Sequence, residues 1–261
     1  THWLCTAFHG VCAACTDALF QINGLAPCPL CRAARTIDWD DKACVIAMVS
    51  SRPQCLRYAN VSLCDDRDVV LAAVRMDGRA LRHASDRLRG DHAVVLAAVR
   101  SSRHALQFAT AALQNDREIV YHSIICASSS LRFASDGLRD DFHMVQYALN
   151  RNGHALAFAS ERLRDNWAFV ALAAVTAPCC ALQHASRRLR SDALLVAAIV
   201  RQCGLALQHA GRALQNDLDI VAAAVAEDDR AIEYASRDIQ AYLANIQAYL
   251  ATHVSARAET Y

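Results

Sequence analysis

A chain of 261 residues in which 54% of the side chains are apolar can bury a sizeable core, and an aromatic share of only 7% beside abundant Ala suits short, closely packed helices better than a sheet sandwich. The 27 basic and 26 acidic residues leave a net charge of +1, which argues against a nucleic-acid partner, since that would want a strong basic excess. The longest apolar runs, 167–175 and 193–200, fall well short of the roughly 18 residues of a membrane span, so no span is expected.

Residues 1–36 form a cysteine-rich head. Five of the twelve Cys lie within the first 31 residues, in the order Cys5-x3-His9-x2-Cys12-x2-Cys15-x12-Cys28-Pro29-Leu30-Cys31-Arg32. Two Cys-x2-Cys pairs a dozen residues apart are spaced for zinc, because each pair chelates one metal from a tight turn. The candidate ligands are Cys5, His9, Cys12, Cys15, Cys28 and Cys31, with zinc as the expected cofactor. Buried free thiols and disulfides are the competing readings. In the simplest arrangement the two Cys-x2-Cys pairs close one four-sulfur site and His9 stays free. The other seven Cys are scattered and share no repeat position, which suits a reducing, intracellular compartment, cytoplasm or organelle interior. No secretory signal opens the chain, which begins at Thr1 rather than Met and reads as a processed terminus or a fragment edge.

The order of ligands also resembles the second half of a RING finger, a family that interleaves two zinc sites. The resemblance implies that Cys5, His9, Cys28 and Cys31 fill one site, with Cys12 and Cys15 as half of the other. It implies further that Pro29 and Arg32 contact a ubiquitin-conjugating enzyme. The first Cys pair of a RING would lie before Cys5, where this sequence has only four residues.

From residue 37 a 25-residue unit recurs. Leu81-Arg82-His83-Ala84-Ser85 returns as Leu106-Gln107-Phe108-Ala109-Thr110, then from Leu131 and from Leu156, and related copies stand at Leu56, Leu182, Leu207 and Ile232. Asp41, Asp66, Asp91, Asp116, Asp141, Asn166, Asp192 and Asp217 keep the same register, each followed four residues later by Val. Asp or Asn before an apolar run caps a helix by accepting a first-turn amide, so 66–75 is expected as helix A of a unit. Leu81, Ala84 and Leu88 share one helical face, which places helix B over 80–89. Gly78, Gly153 and Gly204 fall between the two, where Gly ends helices well. One extra residue enters beside Pro178, and a longer loop holding Cys179 and Cys180 is expected there. Helices this short are not stable alone and must stack. The fold class is therefore all-α: an α-solenoid of eight two-helix repeats over 37–236 with the small head in front. Residues 237–261 follow as a capping helix, with Ile239, Tyr242, Leu243, Ile246, Tyr249 and Leu250 on its apolar face, and a tail.

The unit, Asp-x3-Val-x2-Ala-Val, a polar turn, then Ala-Leu-x2-Ala-Ser-x2-Leu-Arg, resembles the domain-of-unknown-function family 4116. The resemblance implies an α-helical interaction module and brings no ligand and no catalytic residue.

His83, His184 and His209 share a slot with Tyr58, Phe108, Phe133, Phe158 and Tyr234, so packing is preferred to a metal ladder. The repeat Asp residues read as caps rather than as a calcium row. Arg89, Arg139, Arg164 and Arg190 recur at the end of helix B, where cations favour the helix C-terminus. No phosphate loop, nucleophile elbow or Ser/His/Asp order occurs, so no catalytic residue is assigned. The chain reads as a protein-binding scaffold. With the head as a RING it would hold the substrate of a ubiquitin ligase that performs no covalent step itself. The alternative is a non-catalytic subunit of a large assembly.

Overall fold

The computed structural model describes residues 39–245. The head residues Cys5, His9, Cys12, Cys15, Cys28, Pro29, Cys31 and Arg32 lie outside the described residues, as do Ile246, Tyr249 and Leu250 of the expected cap. The described residues are helical and contain no strand.

Eight long helices recur: α1 (Lys42–Ser51), α2 (Arg67–Met76), α3 (His92–Ser101), α4 (Arg117–Cys126), α5 (Phe142–Arg151), α6 (Trp167–Thr176), α7 (Ala193–Val200) and α8 (Leu218–Glu227). Each starts where the repeating Asp or Asn places it, and each of those side chains accepts backbone amides of the first turn, as Asp91 does from Val94 at 2.9 Å. The third, fourth, seventh and eighth residues face inward. In α3 these are Val94, Val95, Ala98 and Val99, all fully buried.

The second half of the unit differs from a single helix B. Residues Gly78–His83 form a 3-10 helix, the chain is extended at Ala84 and Ser85, and Asp86–Arg89 make one separate α-turn. Leu81, Ala84 and Leu88 are all buried, so the apolar spacing correctly identifies the inward side. The break arises because Ser85 adopts φ −60° and ψ 158° and spends its hydroxyl on the Leu88 amide as an N-cap. Ser135, Ser160 and Ser186 do the same for Leu138, Leu163 and Leu189. Each repeat is thus one long helix, a short 3-10 or α segment and a final turn.

The extra residue beside Pro178 makes no longer loop. Pro178–His184 is a seven-residue α-helix in the place of the six-residue 3-10 segments. Pro178 occupies the first turn, where its missing N–H costs nothing, and Ala181 and Ala185 each bond the carbonyl four residues back, Ala177 and Ala181. The added residue is absorbed by widening the helical turn.

Gly78 and Gly153 are set by close approach. A Cβ on Gly78 would lie 2.1 Å from the Ala98 carbonyl oxygen of the next repeat, and one on Gly153 would lie 2.2 Å from that of Ala173. The 3-10 segment of each of these repeats therefore presses directly on the following long helix.

Among the described residues, every pair of elements in substantial contact belongs to the same repeat or to adjacent ones. A row of backbone hydrogen bonds runs along the joints. The amide of Ser85 donates to Cys64 O, Thr110 to Arg89 O, Ser135 to Gln114 O, Ser160 to Arg139 O, Ser186 to Arg164 O, Gly211 to Arg190 O and Ser236 to Gln215 O. Carbonyls left over at the end of each final turn are thereby satisfied by the next repeat. The last final turn does not stop: residues 237–245 are helical, and Ile239 and Leu243 pack on the core.

Candidate interaction surface

The outward face of the long helices carries the first, fifth and ninth residues, spaced four apart along one side. In α1 to α3 and in α7 and α8 that face is charged, small or aliphatic. In α4 to α6 it gains aromatic and large apolar side chains, set among Arg117, Gln146 and Asn150. Tyr121, Ile125, Phe142, Trp167 and Val175 are exposed there, Trp167 by 50% and Val175 by 73%. Side chains meet across the joints: the rings of Tyr121 and Tyr147 are 4.6 Å apart, and Phe142 stands edge-on to Phe169 at 4.8 Å. A hydrogen bond with Tyr147 is the main cause that pushes the Tyr121 hydroxyl above its usual range. Basic groups rim the patch. Arg151 donates to Ile125 O at 2.8 Å, Arg100 lies 3.5 Å from His122, and His143 stands edge-on to Phe142. Large aromatics bordered by Arg have the composition of binding hot spots, whereas an isolated exposed apolar residue needs no explanation.

On this face the first residues of α1 to α4 build a polar ladder onto the capping carboxylates of the next repeat. Lys42 sits 2.8 Å from Asp66, Arg67 3.6 Å from Asp91, His92 4.0 Å from Asp116 and Arg117 2.6 Å from Asp141. The hydrogen bond from Lys42 is the main cause that holds Asp66 below the usual carboxylate range. The ladder ends at α5, where Phe142 and then Trp167 take the first position and extend the aromatic patch that starts with Tyr121 on α4.

A second set of polar joints links the final turns. Ser85 and Arg87 both donate to Asp65, Ser160 and Arg162 to Asp140, and Ser186 and Arg188 to Asp165; the Arg–Asp distances are 3.0–3.1 Å. Where the acceptor is Asn115 or Asn216, the Ser135 or Ser236 hydroxyl bond remains and no Arg accompanies it. Arg89 and Arg139 are joint residues too: beyond favouring a helix end, they donate to Phe108 O and Phe158 O of the following repeat at 2.7 and 2.9 Å.

The histidines of the aromatic slot are half-buried, and burial is the first cause that lowers the pKa of His83, His184 and His209, with neighbouring arginines adding to it. Among the described residues no three His, Cys, Asp or Glu side chains converge as a metal site. Two of the scattered cysteines do not remain thiols: Cys179 and Cys203 are joined, because stacking brings their Cα atoms to 6.1 Å across 24 residues of chain. Cys44, Cys55, Cys64, Cys126 and Cys180 are free.

Apolar spacing along the chain does not mark the aromatic patch. Reading the repeats down each column, rather than along the chain, would have exposed it, since Tyr147 stands where Ala72, Ala97 and Ala198 stand in other repeats.

The family model for the Domain of unknown function (DUF4116) matches residues 41–89, 66–114, 116–164 and 194–240, together more than half of the chain. The first three matches begin at the helix caps Asp41, Asp66 and Asp116. No curated protein and no solved structure matches.

Proposed function

We propose, for a chain that belongs to the Domain of unknown function (DUF4116) family, a binding role in which eight stacked repeats form a solenoid and hold a partner protein on the aromatic face of α4 to α6. Tandem helical repeats are consistent with a scaffold or interaction role, and none of the described helices is long and apolar enough to cross a membrane. The observation that carries the reading is the confinement of Tyr121, Ile125, Phe142, Tyr147 and Trp167 to three adjacent helices. The other repeats fold in the same register without them, so these side chains are not required by the fold. A photo-crosslinking residue in place of Trp167 should trap a partner, and one in place of Arg201, exposed on α7's end, should not. Equal yields at both positions would end the proposal.

For the head, zinc held by ligands among Cys5, His9, Cys12, Cys15, Cys28 and Cys31 is supported by their spacing. A second reading rests on Cys28-Pro29-Leu30-Cys31-Arg32: the head docks a ubiquitin-conjugating enzyme through Pro29 and Arg32 while the array presents a substrate. The alternative is a non-catalytic subunit in which the head only staples the first repeat. Discharge of a ubiquitin-loaded conjugating enzyme, with and without the full chain, separates the two.

A further inference from the structure

The 3-10 layer carries a strip of arginines that no part of the binding reading uses. In the first four repeats the segments 52–58, 77–83, 102–108 and 127–133 hold Arg52, Arg57, Arg79, Arg82, Arg103 and Arg132 against one carboxylate, Asp77. The corresponding segments of the last four repeats hold one arginine, Arg230, which is paired with Asp228 at 2.8 Å, beside Asp229 and Glu233.

The contrast with the other arginines is physical. Arg67, Arg87, Arg89, Arg117, Arg139, Arg162 and Arg188 each reach a carboxylate. Arg57, Arg79, Arg82, Arg103 and Arg132 are exposed and make no ion pair among the described residues. All but Arg79 are held in place by rings instead. Arg57 lies over Tyr58 at 4.4 Å and Arg132 over Phe133 at 4.3 Å, while Arg82 and Arg103 donate to the adjacent His83 and His104 at 2.8 and 3.1 Å. They also share one electrostatic neighbourhood. Burial and then Arg103, Arg79 and Arg132 together hold the His104 imidazole below its ordinary pKa, and burial, Arg82 and Arg57 do the same to His83. At the first repeat Gln54, Arg57, Tyr58 and Asp77 border an open cleft of about 450 Å³.

We infer that this strip is a docking surface for an extended acidic peptide segment of a partner protein, running along the 3-10 layer from repeat 1 to repeat 4. Like charges gathered in excess of their counter-charges cost the fold energy, and an anionic partner removes that cost. Rings that fix the guanidinium groups reduce the entropy lost on binding. Neighbouring elements stand roughly 9 Å apart and a polyproline II segment advances about 3.1 Å per residue with about three residues per turn, so an acidic side chain every third residue stays on one side and meets one repeat at a time. The residues flanking the described array are not an acidic segment. Residues 1–38 hold Asp17 and Asp38 against Arg32 and Arg35, and residues 246–261 hold Glu259 against Arg257. A nucleic acid fits less well, since the strip is confined to four repeats of a chain whose net charge is only +1.

The test uses the full chain and a fluorescent peptide of about twelve residues with Glu at every third position. Anisotropy should show binding that weakens at least about tenfold when ionic strength rises from about 0.05 to 0.3 M. Replacing Arg79, Arg103 and Arg132 together by Ala should weaken it by about tenfold or more, and the pair Arg79→Gln, Arg103→Gln should act in the same direction if the triple variant melts early. Replacing exposed Arg187, Arg201 and Arg212 by Ala should change it less than about twofold. Equal binding of a peptide with Lys for Glu, or no loss in the strip variants, would overturn the inference. Tighter binding of a single-stranded oligonucleotide of equal charge would replace the peptide with nucleic acid. Concentration-dependent self-association that the strip variants abolish would replace it with a second copy of this chain.

Discussion

The hydroxyl of Ser160 donates across a repeat joint to the carboxylate of Asp140, while its oxygen accepts the Leu163 amide at 3.3 Å within its own turn. One side chain therefore starts a helical turn and fastens it to the preceding repeat. Ser160→Ala should lower stability by about 1 kcal/mol, the usual loss for a cap. Asp140→Asn should cost less, because Asn115 and Asn216 keep the same hydroxyl bond at 2.6 and 2.5 Å without an arginine. Thermal melts of the two variants should rank them in that order.

Acid should destabilise the array in two steps. Burial first, and arginines after it, lower the pKa of His83, His184 and His209 from 6.5, so the fold binds protons less readily than the unfolded chain does. Stability from these groups is present above 6.5 and is lost as pH falls below it. Hydrogen bonds from Ser85, Ser160 and Ser186 are the first cause lowering Asp65, Asp140 and Asp165 from 3.8, so their contribution persists until pH falls through that range. Melting temperature should be level from about pH 8 to 7, decline below about 6.5 and decline again below about 4. His184→Phe with His209→Phe should shrink the first step without abolishing it, since Phe108, Phe133 and Phe158 fill the same slot and the lowered His83 and His104 remain.

The register of the array could be read from residues alone because the same side chains do the capping and the packing in every copy. Asp66, Asp91 and Asp116 stand at helix starts, and Val70, Val95, Val120, Leu81, Leu106 and Leu131 are fully buried. The division of the second half was not legible from apolar spacing, since Leu81, Ala84 and Leu88 face inward whether or not the helix is continuous. Its trace was Ser85, Ser135 and Ser160, a column of N-capping residues. The candidate surfaces left fainter marks. The rings on α4 to α6 depart from the repeat pattern on the outside, and inside only at Phe169, which fills a buried position held by Val69 and Val94 in other repeats. The arginine strip is invisible in a net charge of +1 because the compensating carboxylates are in the other joints and at Asp228, Asp229 and Glu233.

Packing should outweigh capping. Leu106 is fully buried, and Leu106→Ala should cost about 2–5 kcal/mol, against about 1 kcal/mol for Asp91→Ala, which removes the acceptor of the Val94 amide. Gly78→Ala adds only a methyl group, yet that methyl would meet a backbone oxygen of α3 at 2.1 Å, so the joint must shift. About 1–3 kcal/mol of destabilisation is expected, where a helix-favouring substitution would ordinarily stabilise. Urea melts that leave Gly78→Ala unchanged would mean that the 3-10 layer does not press on the long helix.

Metal content tests the head in the full chain. A structural zinc takes four protein ligands, and Cys28 and Cys31 belong to both arrangements that the spacing allows. Cys28→Ser should therefore remove the zinc that these two cysteines hold. The double variant Cys5→Ser, His9→Ala divides the arrangements. If Cys12, Cys15, Cys28 and Cys31 close one four-sulfur site, the double variant keeps a full equivalent, because neither altered residue is a ligand. If Cys5 and His9 share a metal with Cys28 and Cys31 in the manner of a RING, the double variant loses it, because two remaining sulfurs cannot hold a structural zinc against solvent. A melt of the array should hardly move in either variant if the head folds separately from the repeats. Retention of the full equivalent would end the ligase reading and leave the scaffold. Its loss, together with failure of Arg32→Ala to engage a ubiquitin-conjugating enzyme that the unaltered chain binds, would support a RING that presents to that enzyme whatever the aromatic face of α4 to α6 holds.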